Sequence, residues 1–413
     1  GAGVIGSTAA FFLSHHESFD PSRGDKITLL EATKIAGGAS GKAGGLLALW
    51  AYPSSIVGLS YRLHRELAEK HNGSERWGYR TVHCGQLDTR GVLSPGTSPP
   101  SKNEKKSSSL PLGSGVSLQK RSPDAIGLLR AAGVPSDLDW VAAEGVQGYE
   151  AMGDPTTTAQ VHPYDFTTSM AKLAEEKGVE IIYGSATRIE KDAGKVTGVA
   201  YRPKINDNAN IASPSSVSEE SIIEAHAVIL TAGPWTPTIY PSIPISALRA
   251  HSVTIRPSRP VSPYCLFTSI ALQNSGQTVT ATPEIYPRSW SGDPGDTLVP
   301  LPSSTAAVET DISRCDDIIA QVQSISHEIR DGKVLVKQAC YLPNVDGRKA
   351  RGGGEGPIIG ESTKVKGLFV GAGHTCWGIQ NAPATGVCLS ELVWEGRVRS
   401  ANVEGLGCRR FGI

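Results

Sequence analysis

Apolar and polar positions along the chain follow two alternating periods, a pattern typical of α/β proteins. Continuous apolar runs predict buried strands at 26–31, 179–183, 225–230 and 367–370. Apolar residues three and four positions apart predict helices at 1–13, 56–67, 166–174 and 312–322. The sequence therefore predicts a parallel sheet covered by helices.

The middle of the chain has a different pattern. Between 246 and 301, β-branched residues alternate with polar ones among many prolines, which predicts a mainly antiparallel sheet in a separate lobe. Two polar stretches, 91–123 and 204–220, have too few apolar residues to form a core, so we expect disordered insertions there. The predicted fold class is α/β, or α+β over the whole chain.

Composition favours a small-molecule substrate. The chain has 413 residues, of which 40 are Lys or Arg and 40 are Asp or Glu, so no charged field is expected to attract nucleic acid or a membrane surface. Seven cysteines without paired spacing predict neither a disulfide framework nor a metal site, and they favour the cytoplasm or another reducing intracellular compartment. No apolar run approaches the ~18 residues of a transmembrane segment.

The first residues carry the spacing of a dinucleotide-binding loop. Gly1, Gly3 and Gly6 form Gly-x-Gly-x-x-Gly at the start of a predicted helix, and Glu31 ends the next strand. Such glycines permit a tight turn and close approach to a pyrophosphate, and an acidic residue at this spacing suits ribose hydroxyls. A Gly-rich turn without a ligand is the alternative. The loop needs a strand before it, so we expect the N-terminus to be incomplete.

Further segments occur in the order typical of one group of flavoproteins. With the opening loop they are GAGVIG (1–6), LLE (29–31), GASGKAGG (38–45), VHP (161–163), TAGPW (231–235) and GAGHTCWG (371–378). Over nearly its whole length the chain resembles the D-amino-acid oxidase, glycine oxidase and sarcosine oxidase superfamily, and within it a fungal branch. The resemblance implies an FAD-dependent oxidoreductase with a Rossmann-like FAD-binding domain.

The resemblance also implies a discontinuous FAD-binding domain. We expect it to comprise 1–50, 159–245 and 335–413. The substrate lobe, built on a mainly antiparallel sheet, would then be formed by 51–158 and 246–334.

The family pattern places FAD contacts on particular residues of this chain. Small residues are expected beside the flavin, because a Cβ would hold the backbone away from the ligand. The helix after 371–378 would direct its positive N-terminal end at the pyrimidine edge of the flavin. The predicted FAD-binding residues are Gly1, Gly3, Val4, Ile5, Gly6, Glu31, Ala32, Ser40, Lys42, Ala43, Gly44, Gly45, Thr231, Ala232, Gly233, Trp235, Cys340, Gly373, His374, Gly378 and Ile379.

Aromatic residues are candidates for the walls of the active site. The resemblance places His374 and Trp377 beside the flavin ring, in catalytic positions. Trp50 and Tyr52 are candidates for the substrate side. For each of these residues, ordinary packing in an aromatic core is the alternative.

Two cations and one cysteine are candidates for chemical roles. Lys42 would favour reduction of oxygen through its charge, and Arg288 would pair with a substrate carboxylate through its planar fork. A surface arginine is the alternative for Arg288. Cys340 occupies a position similar to the one at which sarcosine oxidase relatives attach the flavin covalently; a buried strand cysteine is the alternative.

The resemblance implies oxidation of the C–N bond of a small amine or amino acid by hydride transfer to flavin N5. Molecular oxygen is the expected electron acceptor. Two alternatives stay open, namely a dehydrogenase of the same fold that passes electrons from a hydroxy acid to a carrier, and a non-catalytic flavin-binding protein with a regulatory or interaction role. The oligomeric state is not predicted.

Overall fold

The computed structural model describes residues 1–91, 123–204, 219–274, 277–287, 290–293, 302–346 and 356–413. The predicted insertions at 91–123 and 204–220 lie almost entirely outside the described residues, and Arg288 also lies outside them. The described part of the chain is a mixture of helices and several sheets, which confirms the predicted fold class.

Helices occur where the apolar spacing predicts them. The second begins after Pro53 and ends at Asn72, whose positive φ of 56° stops the helix. The α-helices of the described residues are α1 (Val4–Ser14), α2 (Ser54–His71), α3 (Gly73–Arg76), α4 (Pro123–Ala131), α5 (Pro163–Glu175), α6 (Thr236–Ile239), α7 (Ile312–Gln323), α8 (His327–Arg330) and α9 (Gly378–Glu395).

Strands form four sheets in the described part of the chain. In chain order they are β1 (Thr28–Glu31), β2 (Leu46–Ala48), β3 (Arg80–Thr81), β4 (His83–Arg90), β5 (Val146–Gly153), β6 (Thr158–Gln160), β7 (Glu180–Asp192), β8 (Lys195–Pro203), β9 (Ser221–Glu224), β10 (Val228–Leu230), β11 (Ile245–Arg256), β12 (Tyr264–Asn274), β13 (Gln277–Ala281), β14 (Glu284–Tyr286), β15 (Trp290–Asp293), β16 (Lys333–Val345), β17 (Ile358–Glu361) and β18 (Leu368–Ala372).

Parallel pairs join the strands that the apolar runs predict. β1 lies parallel to β7, and β10 lies parallel to β18. Two antiparallel strands, β8 and β9, extend the first of these sheets. α1 packs on α5 and α9, and its side chains share a buried core with Phe166 and Met170 of α5. These elements surround the N-terminal loop on several sides.

The largest sheet has the strand order β16-β11-β15-β14-β12-β4-β5, with β13 paired to β12. All its pairs are antiparallel except β4 with β12. A separate apolar core, which includes Leu138, Trp140 and Leu266, lies beside this sheet. The mainly antiparallel sheet expected for the lobe is therefore present.

The domain limits given above stay predictions, and two structural facts bear on them. α2 begins inside the segment assigned to the lobe, yet it packs on α9. β16 begins at Lys333 and pairs along its length with β11 of the large sheet. Among the described residues, no helix combines the length and apolarity needed to cross a membrane.

Candidate cofactor and active site

A continuous cleft of 1810 Å³ begins at the N-terminal loop and follows the ends of the parallel strands toward the turn before α9. Most of the predicted FAD-binding residues line it. They are Gly1, Gly3, Val4, Ile5, Gly6, Glu31, Ala32, Ser40, Ala43, Thr231, Ala232, Gly233, Trp235, Gly373, His374, Gly378 and Ile379. The structure thus brings together residues from five separate parts of the sequence.

The N-terminal loop is shaped by its glycines. A Cβ on Gly6 would lie 2.0 Å from the carbonyl oxygen of Gly1, so no larger residue fits there without moving backbone. The first N–H groups of a helix have no partner inside the helix, and the first residues of α1, Val4 to Gly6, line the cleft. The Val4 N–H donates to the Ser40 hydroxyl at 2.8 Å. That hydroxyl can in turn donate to an anion, so the loop suits a phosphate.

Glu31 is buried at the end of β1, beside the loop. Its Oε2 accepts from the Ala2 N–H at 2.7 Å, and its Oε1 accepts from the backbone N–H of Thr33 at 2.9 Å. A carboxylate has about four acceptor positions, so these contacts orient the group and leave capacity for ribose hydroxyls. The position of Glu31 is therefore consistent with its predicted role, which is to bind the ribose hydroxyls.

The segment around Thr231 crosses next to the N-terminal loop. The Thr231 hydroxyl donates to the Gly1 carbonyl oxygen at 3.1 Å. The positive φ of Gly233, 53°, allows the chain to turn there. The Trp235 Nε1–H donates to the Pro302 carbonyl at 2.7 Å and so attaches a segment near α7 to this crossing. Nothing in the sequence predicts the contact between Trp235 and Pro302.

The loop before β2 packs closely against neighbouring segments because two of its residues lack side chains. A Cβ on Gly44 would lie 2.5 Å from the ring of Tyr286, and one on Gly45 would lie 2.0 Å from the Val161 carbonyl oxygen. Lys42 Nζ donates to the Ala339 carbonyl at 2.6 Å, and burial lowers its pKa from the ordinary value. Lys42, Gly44 and Gly45 do not line the cleft themselves.

Cys340 lies in β16, directly opposite Ala250 of β11, and it is buried. Burial raises the pKa of its thiol to about 11, although the charge of nearby Lys42 acts in the opposite direction. Cys340 does not line the cleft, but the next residue, Tyr341, does. Cys340 is therefore next to a residue of the cleft but outside its lining, and burial favours the neutral thiol at neutral pH.

The turn between β18 and α9 is closely packed. A Cβ on Gly373 would lie 2.3 Å from a methyl group of Val345, and this glycine has a φ of +87°. Thr375 also has a positive φ, 52°, which is unusual for a β-branched residue and indicates local strain. His374 is buried; its Nε2 forms a 2.9 Å hydrogen bond with the Thr385 hydroxyl, and burial lowers its pKa to about 3. His374 is therefore neutral at physiological pH.

The start of α9 presents a buried polar group without a partner. The Asn381 Nδ2 donates to the Tyr52 carbonyl at 2.8 Å, whereas its Oδ1 has no partner among the described residues. Gln380, also buried, accepts from the Ala48 N–H at 2.7 Å. Asn381 is fully buried and does not line the cleft, so this acceptor does not face the cofactor region. The glycines that line the cleft and the N-terminus of α9 fit FAD, the cofactor that the sequence implies.

Five aromatic rings form what we call the aromatic arc: Tyr286, Phe267, Trp50, Trp377 and Tyr52. Each ring centroid lies 5.4–6.4 Å from the next. The sequence suggested Trp50, Tyr52 and Trp377 as active-site residues. It missed Phe267, Tyr286 and the neighbouring Glu284, for which the only signal was period-two alternation in the predicted lobe sheet.

Comparison with known proteins identifies the family. The family described as "DAO: FAD dependent oxidoreductase" matches residues 1–392. A protein of Saccharomyces cerevisiae named "Putative oxidoreductase TDA3" is 32% identical, with 98% of this chain and 92% of that protein covered.

Solved structures have the same fold. Glycine oxidase from Bacillus cereus superposes with a TM-score of 0.60 at 19% identity, over 96% of this chain and 93% of that one. Iminodiacetate oxidase from a Chelativorans species has a TM-score of 0.61 at 16% identity, over 98% of this chain and 97% of that one. The matches confirm the resemblance found in the sequence, and the chain belongs to the DAO family and is an FAD-dependent oxidoreductase.

Proposed function

We propose that the protein oxidises the C–N bond of a small amine or amino acid and passes the electrons to molecular oxygen. The names of two solved neighbours, glycine oxidase and iminodiacetate oxidase, support an amino acid or amine substrate. The predicted FAD-binding residues that line the cleft are the proposed cofactor ligands. The finer choice among substrates rests on the chemistry of the turn before α9.

The observation that carries the proposal is the state of His374. Oxidation of a hydroxyl group requires a base that removes the hydroxyl proton, whereas the nitrogen lone pair of an amine expels a hydride without that help. His374 is buried, its Nε2 is engaged by Thr385, and its pKa is lowered to about 3 by burial. A histidine in this state orients a ligand but does not act as a base at neutral pH. The turn therefore favours an amine over a hydroxy acid.

FAD, when bound, supplies the hydride acceptor. The chain supplies position and exclusion of water: the glycine-lined loops hold the cofactor closely, and the aromatic arc covers the substrate side. The oxidised substrate is an imine, which water hydrolyses after release. Lys42 provides a cation near the cofactor region that stabilises negative charge developing on oxygen.

The test is a visible spectrum of the purified protein, followed by anaerobic titration with primary amines, secondary amines, amino acids and hydroxy acids. We expect flavin absorption that is bleached by an amine or amino acid, with hydrogen peroxide formed when air is admitted. Bleaching by hydroxy acids alone would refute the proposal. Bleaching by amines without peroxide would instead identify a carrier as the electron acceptor.

Acid precipitation of the same sample tests attachment of the flavin to Cys340. Colour that stays with the precipitate would establish a covalent bond, and a Cys340→Ala variant would then release it. Colour in the supernatant would show non-covalent FAD. All seven cysteines are free thiols in the structure, which also supports a reducing compartment.

A further inference from the structure

The aromatic arc connects the large sheet with the turn before α9. The Phe267 and Tyr286 centroids are 6.4 Å apart, the Trp50 ring lies 5.9 Å from Phe267, and the Trp377 ring lies 5.4 Å from Trp50. Tyr52 completes the arc at 6.0 Å from Trp377. These contacts are edge-to-face, with interplanar angles between 69° and 87°. Each ring therefore holds its neighbour in place, and the exposed sides of Trp50 and Tyr52 stay open to solvent.

The arc is open to solvent where it meets the turn. Trp50 and Tyr52 are 37% and 42% exposed, which is high for large aromatic side chains. The Tyr52 hydroxyl lies 3.4 Å from the hydroxyl of Thr375, inside the turn that lines the cleft. At the other end, the Tyr286 ring lies against Gly44, in the loop predicted to pass beside the flavin. The arc thus contacts two segments that are predicted to lie beside the flavin, although none of its rings lines the cleft itself.

Glu284 adds a negative charge to this surface. It lies directly opposite Phe267 in the β12–β14 pair, and Tyr286 is two residues farther along β14, so the three side chains share one face of the sheet. The Tyr286 hydroxyl donates to Glu284 Oε2. Within the described ranges, no lysine, arginine or histidine forms an ion pair with Glu284.

A half-buried carboxylate without a cation is costly unless a ligand compensates it. Burial raises the pKa of the Glu284 carboxyl, and the hydrogen bond from Tyr286 acts in the opposite direction. Aromatic faces attract cations through their quadrupoles, with attraction of about 0.5–2 kcal/mol for each favourable contact. The Glu284 carboxylate and the aromatic faces both attract a positive group and repel a carboxylate. The surface is therefore complementary to an organic cation.

We infer that Glu284 and the aromatic arc form the recognition site for the ammonium group of an amine with an apolar substituent. The inference rests on the proposed function and narrows it, because the substrate is recognised through its positive nitrogen rather than through a carboxylate. The ammonium proton passes to the Glu284 carboxylate before hydride transfer, so that the nitrogen lone pair is free to expel the hydride. The apolar substituent packs on Trp50 and Trp377, and the ammonium group lies toward Glu284. A free small amino acid is then a poor substrate.

Calorimetric titration of the FAD-containing protein tests this site without turnover. The probes are benzyltrimethylammonium, benzyl alcohol and benzoate, which carry positive, neutral and negative groups on the same ring. We expect the cation to bind about tenfold more tightly than the alcohol, and benzoate to bind most weakly. Glu284→Gln, which keeps the shape of the side chain, should reduce binding of the cation to within about threefold of the alcohol.

Two further variants separate recognition from folding. Trp50→Ala, at a solvent-exposed position, should also weaken binding of the cation, and it does so without touching Glu284. Glu150→Gln removes a carboxylate from an exposed position on β5 of the same sheet and should leave all three affinities unchanged. Equal binding of cation and alcohol by the unmodified protein would overturn the inference.

Tighter binding of benzoate would also overturn the inference, and loss of that binding in Arg288→Ala would assign recognition to a carboxylate–arginine pair. The titrations test the recognition site, whereas reduction of the flavin by amines tests the proposed function. A flavin-containing protein that oxidises amines but shows no preference for the cation would refute only this recognition site. A protein that selects the cation but is not reduced by any amine would refute the proposed function and retain the site.

Discussion

The N-terminal loop and the aromatic arc are built by different means. At the loop, which we call the first end, the contacts are between backbone atoms, and Gly6 has no space for even one carbon more. The arc, which we call the second end, consists of large side chains from several elements; ring contacts hold them beside the turn before α9, and none of the five rings lines the cleft itself. The first end is suited to the invariable part of a cofactor, and the second can vary with the substrate. Changes at the first end should therefore abolish cofactor binding, whereas changes at the second should alter reactivity.

The largest effect is expected from Gly6→Ala. The new Cβ would lie 2.0 Å from the Gly1 carbonyl oxygen and 2.7 Å from the Thr231 hydroxyl, so the loop must move. We expect FAD affinity to fall more than about 100-fold, since overpacking of this kind costs about 1–3 kcal/mol or more. Equilibrium dialysis against FAD measures the change.

Gly58→Ala is the matched control for Gly6→Ala. Gly58 is exposed in the middle of α2, and a Cβ added there would have no atom within 4 Å outside its own helix backbone and chain neighbours. This substitution should leave FAD affinity unchanged and stabilise the helix by about 0.5–1 kcal/mol. Normal FAD affinity in Gly6→Ala would show that the N-terminal loop does not bind the phosphates.

Sequence alone predicts the geometry of the first end, because that geometry depends on spacing. Gly-x-Gly-x-x-Gly and the acidic end of the next strand are local patterns with a steric cause, and the structure places Gly6 and Glu31 beside the cleft. The second end depends on contacts between distant segments. Nothing near Gly44 in the sequence indicates that the ring of Tyr286 would lie against it, and Glu284 gains significance only from its cross-strand neighbour Phe267.

Lys42→Met should slow the reaction with oxygen without affecting FAD binding at the first end. The half-buried ammonium group attracts negative charge on oxygen by about 2 kcal/mol, so reoxidation of the reduced enzyme by oxygen should slow about 30-fold. The anaerobic reduction by substrate should keep its rate, as stopped-flow absorbance would show. Lys34→Met, at an exposed position near Lys42, is the control. Equal slowing of both half-reactions would contradict an electrostatic role.

The stability of the protein should fall in acid because of two buried histidines. Burial lowers the pKa of His374 to about 3 and that of His64 to about 4, from an ordinary value of 6.5. Below pH 6.5 the unfolded chain binds protons that the folded chain does not, so their stabilisation is complete above pH 6.5 and decreases as the pH falls toward 4. Each histidine should cost about 1.4 kcal/mol of unfolding free energy at pH 5.5.

Urea denaturation at pH 7 and pH 5.5 measures this loss. His374→Gln removes one titrating group. The difference in unfolding free energy between pH 7 and pH 5.5 should therefore shrink by about 1.4 kcal/mol. His226→Gln, at an exposed position, is the control and should leave the difference as it is. An unchanged difference in His374→Gln would mean that His374 becomes protonated in the folded protein within this range.

The smallest effect concerns a contact that supports Glu31 at the first end. Thr305 lies in the segment that Trp235 attaches to the cleft, and its hydroxyl is 2.5 Å from that of Thr33. The Thr33 hydroxyl donates to Glu31 Oε1 at 3.1 Å, so Thr305 donates to Thr33 and fixes the carboxylate from a distance. Thr305→Val should weaken FAD binding about fivefold, the effect of one neutral hydrogen bond of about 1 kcal/mol.

Flavin fluorescence during dilution would measure the rate of FAD release in Thr305→Val. Thr168→Val is the control, because the Thr168 hydroxyl donates only to carbonyl groups of its own helix, α5. If release were faster in Thr33→Val but not in Thr305→Val, Glu31 would be oriented by its own strand and turn alone. Faster release in both would show that the segment after β15 takes part in holding the cofactor, although the spacing of the N-terminal glycines gives no sign of it.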